Sequence, residues 1–193
     1  LLLLGEEMCC AQVRFGLATR IGYGELYEIE KNSVDNSEET YQWFWHVTAA
    51  VEANLELIKF LEIGVAYESS VSGNYSEEII PQNGIFIDHR GSATVSEYTI
   101  FLRGLTPRYK KFGVSGSVGY FNVKISADDA LTNDSKNSSG GIELSVAFNI
   151  NLTTKLILFV PSYHYRIVSD DLLSIGKDDT GYYTLSGGLL YKF

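Results

Sequence analysis

The chain has 193 residues, 45% of them hydrophobic and 20% charged, which suits one domain without a long linker. Its 24 acidic residues exceed its 15 basic residues, and the net charge of −9 argues against a nucleic-acid partner, because phosphate binding needs clustered Lys and Arg. The longest apolar runs, 1–4 and 156–160, fall far short of the roughly 20 residues that a membrane-spanning helix needs.

The first segment, residues 1–11, combines a short apolar run with small residues and resembles the end of a secretory signal peptide. Two glutamates directly after the apolar run fit that interpretation poorly, so a disordered tail is the alternative. Cys9 and Cys10 are adjacent and therefore cannot form a disulfide framework or a spaced metal site. We expect residues 12–193 to form the folded domain.

Eight segments from residue 12 onward alternate apolar side chains with small or polar ones, which is the pattern of β-strands. In the first segment, Phe15 and Leu17 fall on one face while Gly16 falls on the other. The alternation is blurred around 156–160. The predicted strands are 13–23, 41–55, 61–68, 97–103, 112–121, 141–150, 157–167 and 182–193.

The connections between these strands alternate in length. The long polar ones are 24–40, 69–96, 124–139 and 168–181, and the short ones are 56–59, 106–110 and 151–154. Short turns at one end and long loops at the other are the layout of an outer-membrane barrel with both termini in the periplasm. The long loops are acidic, and we expect them to face an extracellular ligand. Divalent cations could bridge their carboxylates to lipopolysaccharide phosphates; a solvated, repulsive surface is the alternative.

The weaker face of the strands distinguishes a membrane barrel from a soluble barrel of the lipocalin kind. A soluble barrel turns Lys and Glu to water, whereas this face carries mainly Gly, Ala, Ser and Thr, which suit the crowded interior of an eight-stranded barrel. The opposite face would then be apolar all round, so its solvent is lipid. Because an open sheet edge in lipid leaves N–H and C=O groups unpaired, we predict an all-β fold, a closed eight-stranded antiparallel up-and-down transmembrane β-barrel.

The last predicted strand, residues 182–193, reads YYTLSGGLLYKF, with alternating apolar residues, an aromatic residue at Tyr191 and a final Phe193. It resembles the C-terminal assembly signal of Gram-negative outer-membrane proteins, and residues 12–193 resemble small barrels of the OmpA-domain, OmpX and OmpW kind. The resemblance implies location in the cell outer membrane, among its lipid and lipopolysaccharide. It also implies insertion by the barrel assembly machinery, with Tyr191 and Phe193 as signal residues. It does not imply one activity.

Charged residues on the small-residue face are predicted to lie inside the barrel, at heights that follow from strand direction. Those near the periplasmic end are Arg14, Glu52, Glu62 and Arg103, and those nearer the outside are Arg20, Glu97, Glu143 and Arg166. Each group has two acids and two bases, which predicts a lumen ion-pair network, since isolated charges in a narrow lumen are costly. A lumen filled in this way is a plug, and a narrow pore opened by re-pairing the charges is the alternative.

Ser162 and His164 are two residues apart on one face of the seventh predicted strand, where Glu143 could orient the histidine. That combination permits a lipid-directed hydrolase, and packing in the lumen is the alternative. The Ser-x-His order departs from the His-x-Ser order of the lipid A deacylase barrels. His46 and His89 lack spaced partners and do not predict a metal site. We therefore expect no catalytic residue, no metal and no cofactor.

Three functions are consistent with these patterns. The first is a non-enzymatic outer-membrane barrel with a largely side-chain-filled lumen, which presents acidic loops for envelope integrity or surface interaction. The second is OmpW-like passage of small hydrophobic molecules, which a hydrophobic interior would favour and the interior charges oppose. The third is the hydrolase, which unchanged lipid profiles in Ser162→Ala and His164→Ala would eliminate.

Overall fold

Eight antiparallel strands close into one barrel in the computed structural model of the chain, which describes residues 14–31, 38–81, 87–106, 111–127, 138–168 and 179–193. The strands are β1 (Arg14–Lys31), β2 (Glu38–Ile58), β3 (Leu61–Pro81), β4 (Ile87–Leu105), β5 (Phe112–Ala127), β6 (Ser138–Asn151), β7 (Leu156–Val168) and β8 (Asp179–Lys192). Each strand pairs with its neighbours in the chain, and the ladder between β1 and β8 closes the ring. The predicted closed, eight-stranded fold is therefore confirmed. The described residues contain no helix that is long and apolar enough to cross a membrane.

Side-chain exposure alternates along the strands, because successive residues of a strand point to opposite faces. On β1, Ile21 is 69% exposed, whereas Ala18 and Arg20 on the other face are buried. Every strand contributes exposed apolar side chains to the outward face, such as Leu17, Val51, Val65, Ile100, Val118, Leu144, Tyr165 and Leu189. Soluble monomers rarely expose so continuous an apolar surface, so this belt belongs in lipid. The closed ladder satisfies the backbone N–H and C=O groups that lipid cannot.

The strands are longer than the alternation predicts. β1 to β4 have 18, 21, 21 and 19 residues and extend through much of the predicted loops 24–40 and 69–96. The predicted loops 124–139 and 168–181 are also too long, because β5 ends at Ala127 and β8 begins at Asp179. Gly, Ser and Glu have low strand propensity, but pairing with a neighbouring strand overrides it. The centres of these loops lie outside the described residues, as do residues 1–11.

β7 contains an irregularity that reverses its faces. Its register with β8 shifts between Phe159 and Ser162, and its register with β6 shifts between Ala147 and Asn149. Ile157 and Phe159 are therefore buried inside the barrel, whereas simple alternation predicts them on the lipid side. A bulge inserts an extra residue, and a shift of one residue moves every side chain beyond it to the opposite face.

The two ends of the barrel differ. We call one the turn end; it contains the start of β1, the end of β8 and the connections 59–60, 106–111 and 152–155. The opposite, loop end has the connections 32–37, 82–86, 128–137 and 169–178, which lie outside the described residues. Outer-membrane barrels keep short turns in the periplasm and longer loops outside. Because the connections at the turn end are shorter on average than those at the loop end, we assign the turn end to the periplasm.

Candidate functional site in the barrel lumen

Buried ion pairs occupy the middle of the lumen. Arg20 on β1 has Nε 2.7 Å from Glu52 Oε1 and Nη2 3.6 Å from Glu68 Oε2. Arg103 on β4 has Nη2 2.7 Å from the second oxygen of Glu52. Glu52, on β2, therefore joins two arginines that come from different strands. We call this connected set of charges the ion-pair network.

Arg166 on β7 is the centre of the half of the network that is nearer the loop end, and its exposed fraction is 0%. Its Nε lies 2.7 Å from Glu97 Oε2, and its Nη2 lies 3.4 Å from Glu68 Oε2 and 3.2 Å from Glu143 Oε2. Its Nη1 donates a hydrogen bond to Thr184 Oγ1 at 2.7 Å. One guanidinium thus contacts carboxylates from β3, β4 and β6, a role that suits the five N–H donors of Arg.

The network continues toward the turn end through Lys192 on β8, which is buried. Its Nζ lies 3.1 Å from Glu56 Oε2 and also contacts Glu62. Arg103 Nη1 lies 3.9 Å from the second oxygen of Glu62, which connects this group to the middle of the network. The ion pairs therefore extend from the turn end to the level of Glu97.

The structure brings together seven of the eight residues predicted for the lumen network, Arg20, Glu52, Glu62, Glu97, Arg103, Glu143 and Arg166. The placement of Arg14 needs correction. Arg14 is exposed at the start of β1, before the first pair of β1 with β8, Gly16 with Lys192, so no neighbouring strand encloses it on that side. Among the described residues it forms none of the ion pairs of the network.

Sequence reasoning missed three members of the network, Glu56, Glu68 and Lys192. The signal for two of them was present, because Glu68 and Lys192 lie on the predicted inward faces of their strands. The sequence pattern places Glu56 in a turn, but β2 continues to Ile58. With these additions the network holds six carboxylates and four cationic side chains. Removing one partner from a buried ion pair typically costs about 3–5 kcal/mol, because an uncompensated charge is left behind.

Apolar side chains occupy the lumen between the ion-pair network and the loop end. We call them the loop-end cluster; they come from six strands, are at most 6% exposed and comprise Leu26, Phe44, Ala93, Val95, Phe121, Val123, Ile125, Val168 and Tyr182. The rings of Phe121 and Tyr182 meet edge to face, with centroids 6.4 Å apart. Arg166 Cζ lies 4.5 Å from the Tyr182 ring centroid, a cation–π contact that joins the cluster directly to the network.

A second apolar cluster lies closer to the turn end and consists of Ala18, Ala147, Ile157, Phe159 and Leu190. The bulge in β7 supplies two of its members, Ile157 and Phe159. Arg103 Cζ lies 5.3 Å from the ring centroid of Phe159 and 4.5 Å from that of Phe101. The aromatic rings and the guanidinium therefore pack together on this side of the network.

His46 lies where the loop-end cluster meets the ion-pair network. Its ring is buried and stacks on Phe44, with centroids 4.7 Å apart. Gly24 on the neighbouring strand leaves room for it, because a Cβ there would lie 2.4 Å from His46 Nε2. The side chain of His89 lies outside the described residues. No group of three or more His, Cys, Asp and Glu in the described part of the chain could hold a metal ion.

Ser162, His164 and Glu143 form a chain of polar contacts. Ser162 Oγ lies 2.9 Å from His164 Nε2, and His164 Nδ1 lies 3.2 Å from Glu143 Oε1. This order of contacts is the one that activates a serine nucleophile. All three residues, however, are at most 4% exposed and face the lumen, and Arg20 Nη1 lies 3.2 Å from His164 Nδ1. The barrel wall separates Ser162 from any lipid in the surrounding bilayer, so the arrangement fits lumen packing.

The residues predicted as an assembly signal lie on the outward face at the turn end. Tyr191 and Phe193 are exposed, and their rings meet edge to face with centroids 5.1 Å apart. Phe193 also approaches Phe15 on β1, with centroids 5.8 Å apart. An exposed aromatic group at this height suits the membrane interface. Recognition by the assembly machinery stays a prediction.

Known proteins match the chain in structure and not in sequence. No protein-family model matches it, and no curated protein sequence matches it. The outer membrane protein OprG from Pseudomonas aeruginosa superimposes with a TM-score of 0.62 at 13% identity, over 92% of this chain and 95% of that one. Neisserial surface protein A superimposes with a TM-score of 0.59 at 14% identity, over 93% of this chain and 97% of that one. Ail of Yersinia pestis, solved in complex with the heparin analogue sucrose octasulfate, superimposes with a TM-score of 0.51 at 13% identity, over 93% of this chain and 99% of that one.

At these identities the likeness concerns the fold. The closed eight-stranded ladder, the apolar outer wall and the ion pairs buried in the lumen define a transmembrane β-barrel of the small outer-membrane type. OprG and the N-terminal barrel domain of Pseudomonas aeruginosa OprF, which superimposes with a TM-score of 0.50 at 8% identity over 92% of this chain and 97% of that one, share this architecture. The fold agrees with the outer-membrane location that the resemblance of the last strand implies.

Proposed function

We propose that the chain is a non-enzymatic barrel of the cell outer membrane whose lumen is largely filled by side chains. In this proposal it serves envelope integrity or surface interaction and does not carry steady transport. The observation that supports it best is the direct contact of Arg166, the centre of the ion-pair network, with Tyr182 of the loop-end cluster. The ion-pair network and the loop-end cluster are adjacent along the lumen, with no layer of other described residues between them.

The ion-pair network opposes an open pore because widening the lumen would separate its charges. Arg20 and Arg103 hold Glu52 from two strands, each at 2.7 Å. Arg166 holds three more carboxylates. Each separated pair would leave charges with few partners in a poorly hydrated interior, which is costly.

The loop-end cluster opposes a pore for a different reason. Its side chains come from β1, β2, β4, β5, β7 and β8, so they converge from most of the circumference. A hydrated path through this cluster would have to expose buried apolar surface, at about 25 cal/mol per Å². Ions would lose hydration there without gaining polar partners.

Planar-bilayer recordings of the refolded full chain test the proposal. We expect little steady conductance from the wild type and from Tyr98→Ala/Tyr120→Ala, which changes only lipid-facing rings. Phe44→Ala/Phe121→Ala removes two rings from the loop-end cluster and should produce more frequent or larger openings. Large, stable channels in the wild type would contradict a filled lumen.

We propose binding partners for the extracellular loops and for the last strand. The acidic segments within 24–40, 69–96, 124–139 and 168–181 are proposed to meet lipopolysaccharide through divalent cations or to bind an extracellular ligand. Binding of lipopolysaccharide to the refolded chain should then weaken when a chelator removes the cations.

Tyr191 and Phe193 are proposed to contact the assembly machinery, so Phe193→Ala should lower the amount of folded barrel in cells.

Passage of small hydrophobic molecules is the second candidate, and the apolar character of the loop-end cluster favours it. The charges of the ion-pair network, directly beneath that cluster, oppose it. Uptake of a hydrophobic fluorescent solute by lipid vesicles tests this candidate. If the lumen is filled, vesicles that contain the chain should take up the solute no faster than empty vesicles. Faster uptake that Phe44→Ala/Phe121→Ala increases further would favour passage.

The hydrolase is disfavoured by burial of Ser162 and His164 on the lumen side of the wall. Cells that express Ser162→Ala or His164→Ala should have the same phospholipid and lipid A profiles as cells that express the wild type. A product that disappears in both variants and persists in Ser186→Ala, a change at another buried lumen serine, would establish catalysis.

A further inference from the structure

The outer wall of the barrel contains a groove between β5, β6 and β7, which we call the wall groove. Its volume is about 250 Å³, and its lining consists of Val114, Val146, Ala147, Phe148, Pro161 and Tyr163. All of these except Ala147 are exposed on the lipid-facing side, and none carries a charge. Pockets for drug-sized ligands hold about 300–1,000 Å³, so the wall groove suits a narrower apolar occupant.

The bulge in β7 forms one side of the wall groove. The register of β7 skips Val160 and Pro161, both toward β6 and toward β8. Proline has no N–H to donate, so inside a sheet it is confined to edges and bulges. The skipped residues lie opposite Phe148, which falls between the β6 residues that pair with Phe159 and Ser162. The strand leaves the regular ladder at this point, and the lipid side of the wall is recessed there.

Two glycines keep the wall thin on the other side of the wall groove. Gly116 of β5 pairs with Val146, and Gly104 of β4 pairs with Gly116. A Cβ built at Gly116 would have its nearest contact outside the adjacent residues at 3.6 Å, with the carbonyl oxygen of Ser145. A Cβ at Gly104 would be 3.9 Å from the carbonyl oxygen of Gly116. The wall groove therefore adjoins a shallow patch without side chains.

A cation is connected to the wall groove by a continuous series of contacts. Lys111 Nζ lies 5.6 Å from the ring centroid of Phe112, and Phe112 stacks on Phe148 with centroids 5.9 Å apart. Phe148 lines the wall groove. Val114, which pairs with Phe148, is two residues beyond Phe112, so the wall groove begins about 5 Å deeper in the hydrocarbon at a strand tilt of roughly 45°. Lys111 is therefore placed at headgroup level above an apolar recess.

The charge of this region calls for an anionic group. The described residues 111–127 and 138–168, which include β5, β6 and β7, contain one acid, Glu143. Glu143 is buried in the lumen, where it contacts Arg166. An occupant that complements both features combines an apolar chain with a negative charge at one end.

We infer that the wall groove binds one glycerophospholipid on the periplasmic side of the membrane. An acyl chain occupies the wall groove, and the phosphate contacts Lys111. Lipid already surrounds this face of the barrel, and the phosphate supplies the complementary charge. A second copy of the chain would need an interface of about 800 Å² per partner, which a groove of this size does not supply by itself. The inference goes beyond the proposed function and does not depend on whether the lumen conducts.

Native mass spectrometry of the full chain released from nanodiscs tests this inference. The nanodiscs contain phosphatidylglycerol with a small amount of oleic acid, and the measurement is the fraction of chains that retain one phospholipid. Val146→Trp fills the wall groove. Val118→Trp is the matched control, because Val118 is 49% exposed, close to the 51% of Val146, and lies outside the wall groove.

A second pair of variants tests the headgroup contact. Lys111→Gln removes the cation beside Phe112, and Lys124→Gln removes an exposed lysine near the loop end of β5 as its control. Circular dichroism and heat-dependent gel mobility confirm that each variant is folded. Val114→Trp fills the wall groove from β5 and replaces Val146→Trp if that variant does not fold.

We expect one phospholipid to stay bound to the wild type and to both controls. The lipid-bound fraction should fall several-fold in Val146→Trp, because the indole ring takes the place of the acyl chain. Lys111→Gln should lower the affinity by up to about fivefold, the contribution of one cation near an anionic lipid.

Equal retention by Val146→Trp and Val118→Trp would overturn the inference. Retention of oleic acid in preference to the phospholipid would also overturn it, as would release of a dimer that Val146→Trp abolishes. Unchanged retention in Lys111→Gln would overturn the contact between the phosphate and Lys111.

Discussion

The ion-pair network and the loop-end cluster are neighbouring parts of one lumen, yet they differ in how their contacts depend on one another. In the network, charges share partners, so the loss of Arg166 would leave three carboxylates without their main counter-charge. In the loop-end cluster the contacts are apolar and non-directional, so the loss of one side chain leaves a cavity and little else. Stability should therefore be strongly coupled among network residues, whereas cluster residues should be coupled more weakly, through the cavities that truncation leaves.

The largest loss in the free energy of unfolding is expected for Arg166→Met. The substitution keeps much of the volume but removes the counter-charge of Glu68, Glu97 and Glu143, and it should lower the free energy of unfolding by about 3–5 kcal/mol. Urea unfolding in lipid vesicles, followed by tryptophan fluorescence, measures this loss. Adding Glu97→Gln to Arg166→Met should recover part of it, because one uncompensated charge is removed. The exposed Arg90→Met is the control, and equal stability of the two single variants would refute strong coupling in the network.

A smaller loss is expected for Leu26→Ala in the loop-end cluster. Leu26 is buried, and its truncation should cost about 2–3 kcal/mol, toward the low end for buried leucines because the lumen is narrow. The same urea titration applies, with the lipid-facing Leu17→Ala as control. Combined with Val123→Ala, the loss should lie closer to the sum of the two single losses than it does in the network double variant, because apolar neighbours are coupled only through a shared cavity. A double variant far from that sum would show that the cluster is coupled in the way the network is.

The boundary between the two regions should be sensitive to added volume. In Gly24→Ala the new Cβ would meet the ring of His46, at 2.4 Å from Nε2 in the present geometry, and overpacking of this kind costs about 1–2 kcal/mol. Thermal unfolding in detergent, read as the heat-dependent shift in gel mobility, detects the change. The same substitution in a His46→Ala background should cost much less. If the cost persists there, the contact with His46 is not its cause.

The smallest loss in the free energy of unfolding is expected where two neutral side chains share a hydrogen bond. Ser117 Oγ and Ser145 Oγ lie 2.6 Å apart between β5 and β6, and Ser117→Ala should cost about 1 kcal/mol. Ser117→Ala/Ser145→Ala should be no less stable than either single variant, because neither hydroxyl is then left without its partner. A double variant that loses the sum of both effects would indicate separate roles for the two hydroxyls.

The two-residue alternation was enough to predict the barrel and most of its lumen. It placed Glu52, Glu97 and Arg166 on inward faces, because lipid on one side and a narrow interior on the other leave little freedom in register. It failed at Phe159, because a bulge changes the count of residues, and the blurred alternation around 156–160 marks the bulge without showing which face each residue takes.

Other features depended on pairing partners that the pattern of one strand does not contain. Arg14 is on the inward face by alternation, but β8 does not pair with it, and it remains exposed. The extension of β3 to Pro81 likewise follows from its hydrogen bonds with β2 and β4 and not from the propensities of its Ser, Gly and Glu residues. Contacts such as that of Ser162 with His164 were foreseen as neighbours on one face, but their burial on the lumen side required the closed ring.

The unequal lengths of the described strands slant the rim that these strands form at the loop end. β1 to β4 have 18 to 21 residues, whereas β6 to β8 have 13 or 14. At about 3.3 Å per residue and a tilt of roughly 45°, the additional residues of the longer strands raise one side by about 15 Å. An antibody that approaches the described part of the loop end would therefore touch the two tall hairpins, β1–β2 and β3–β4, before it reaches the described ends of β6 to β8.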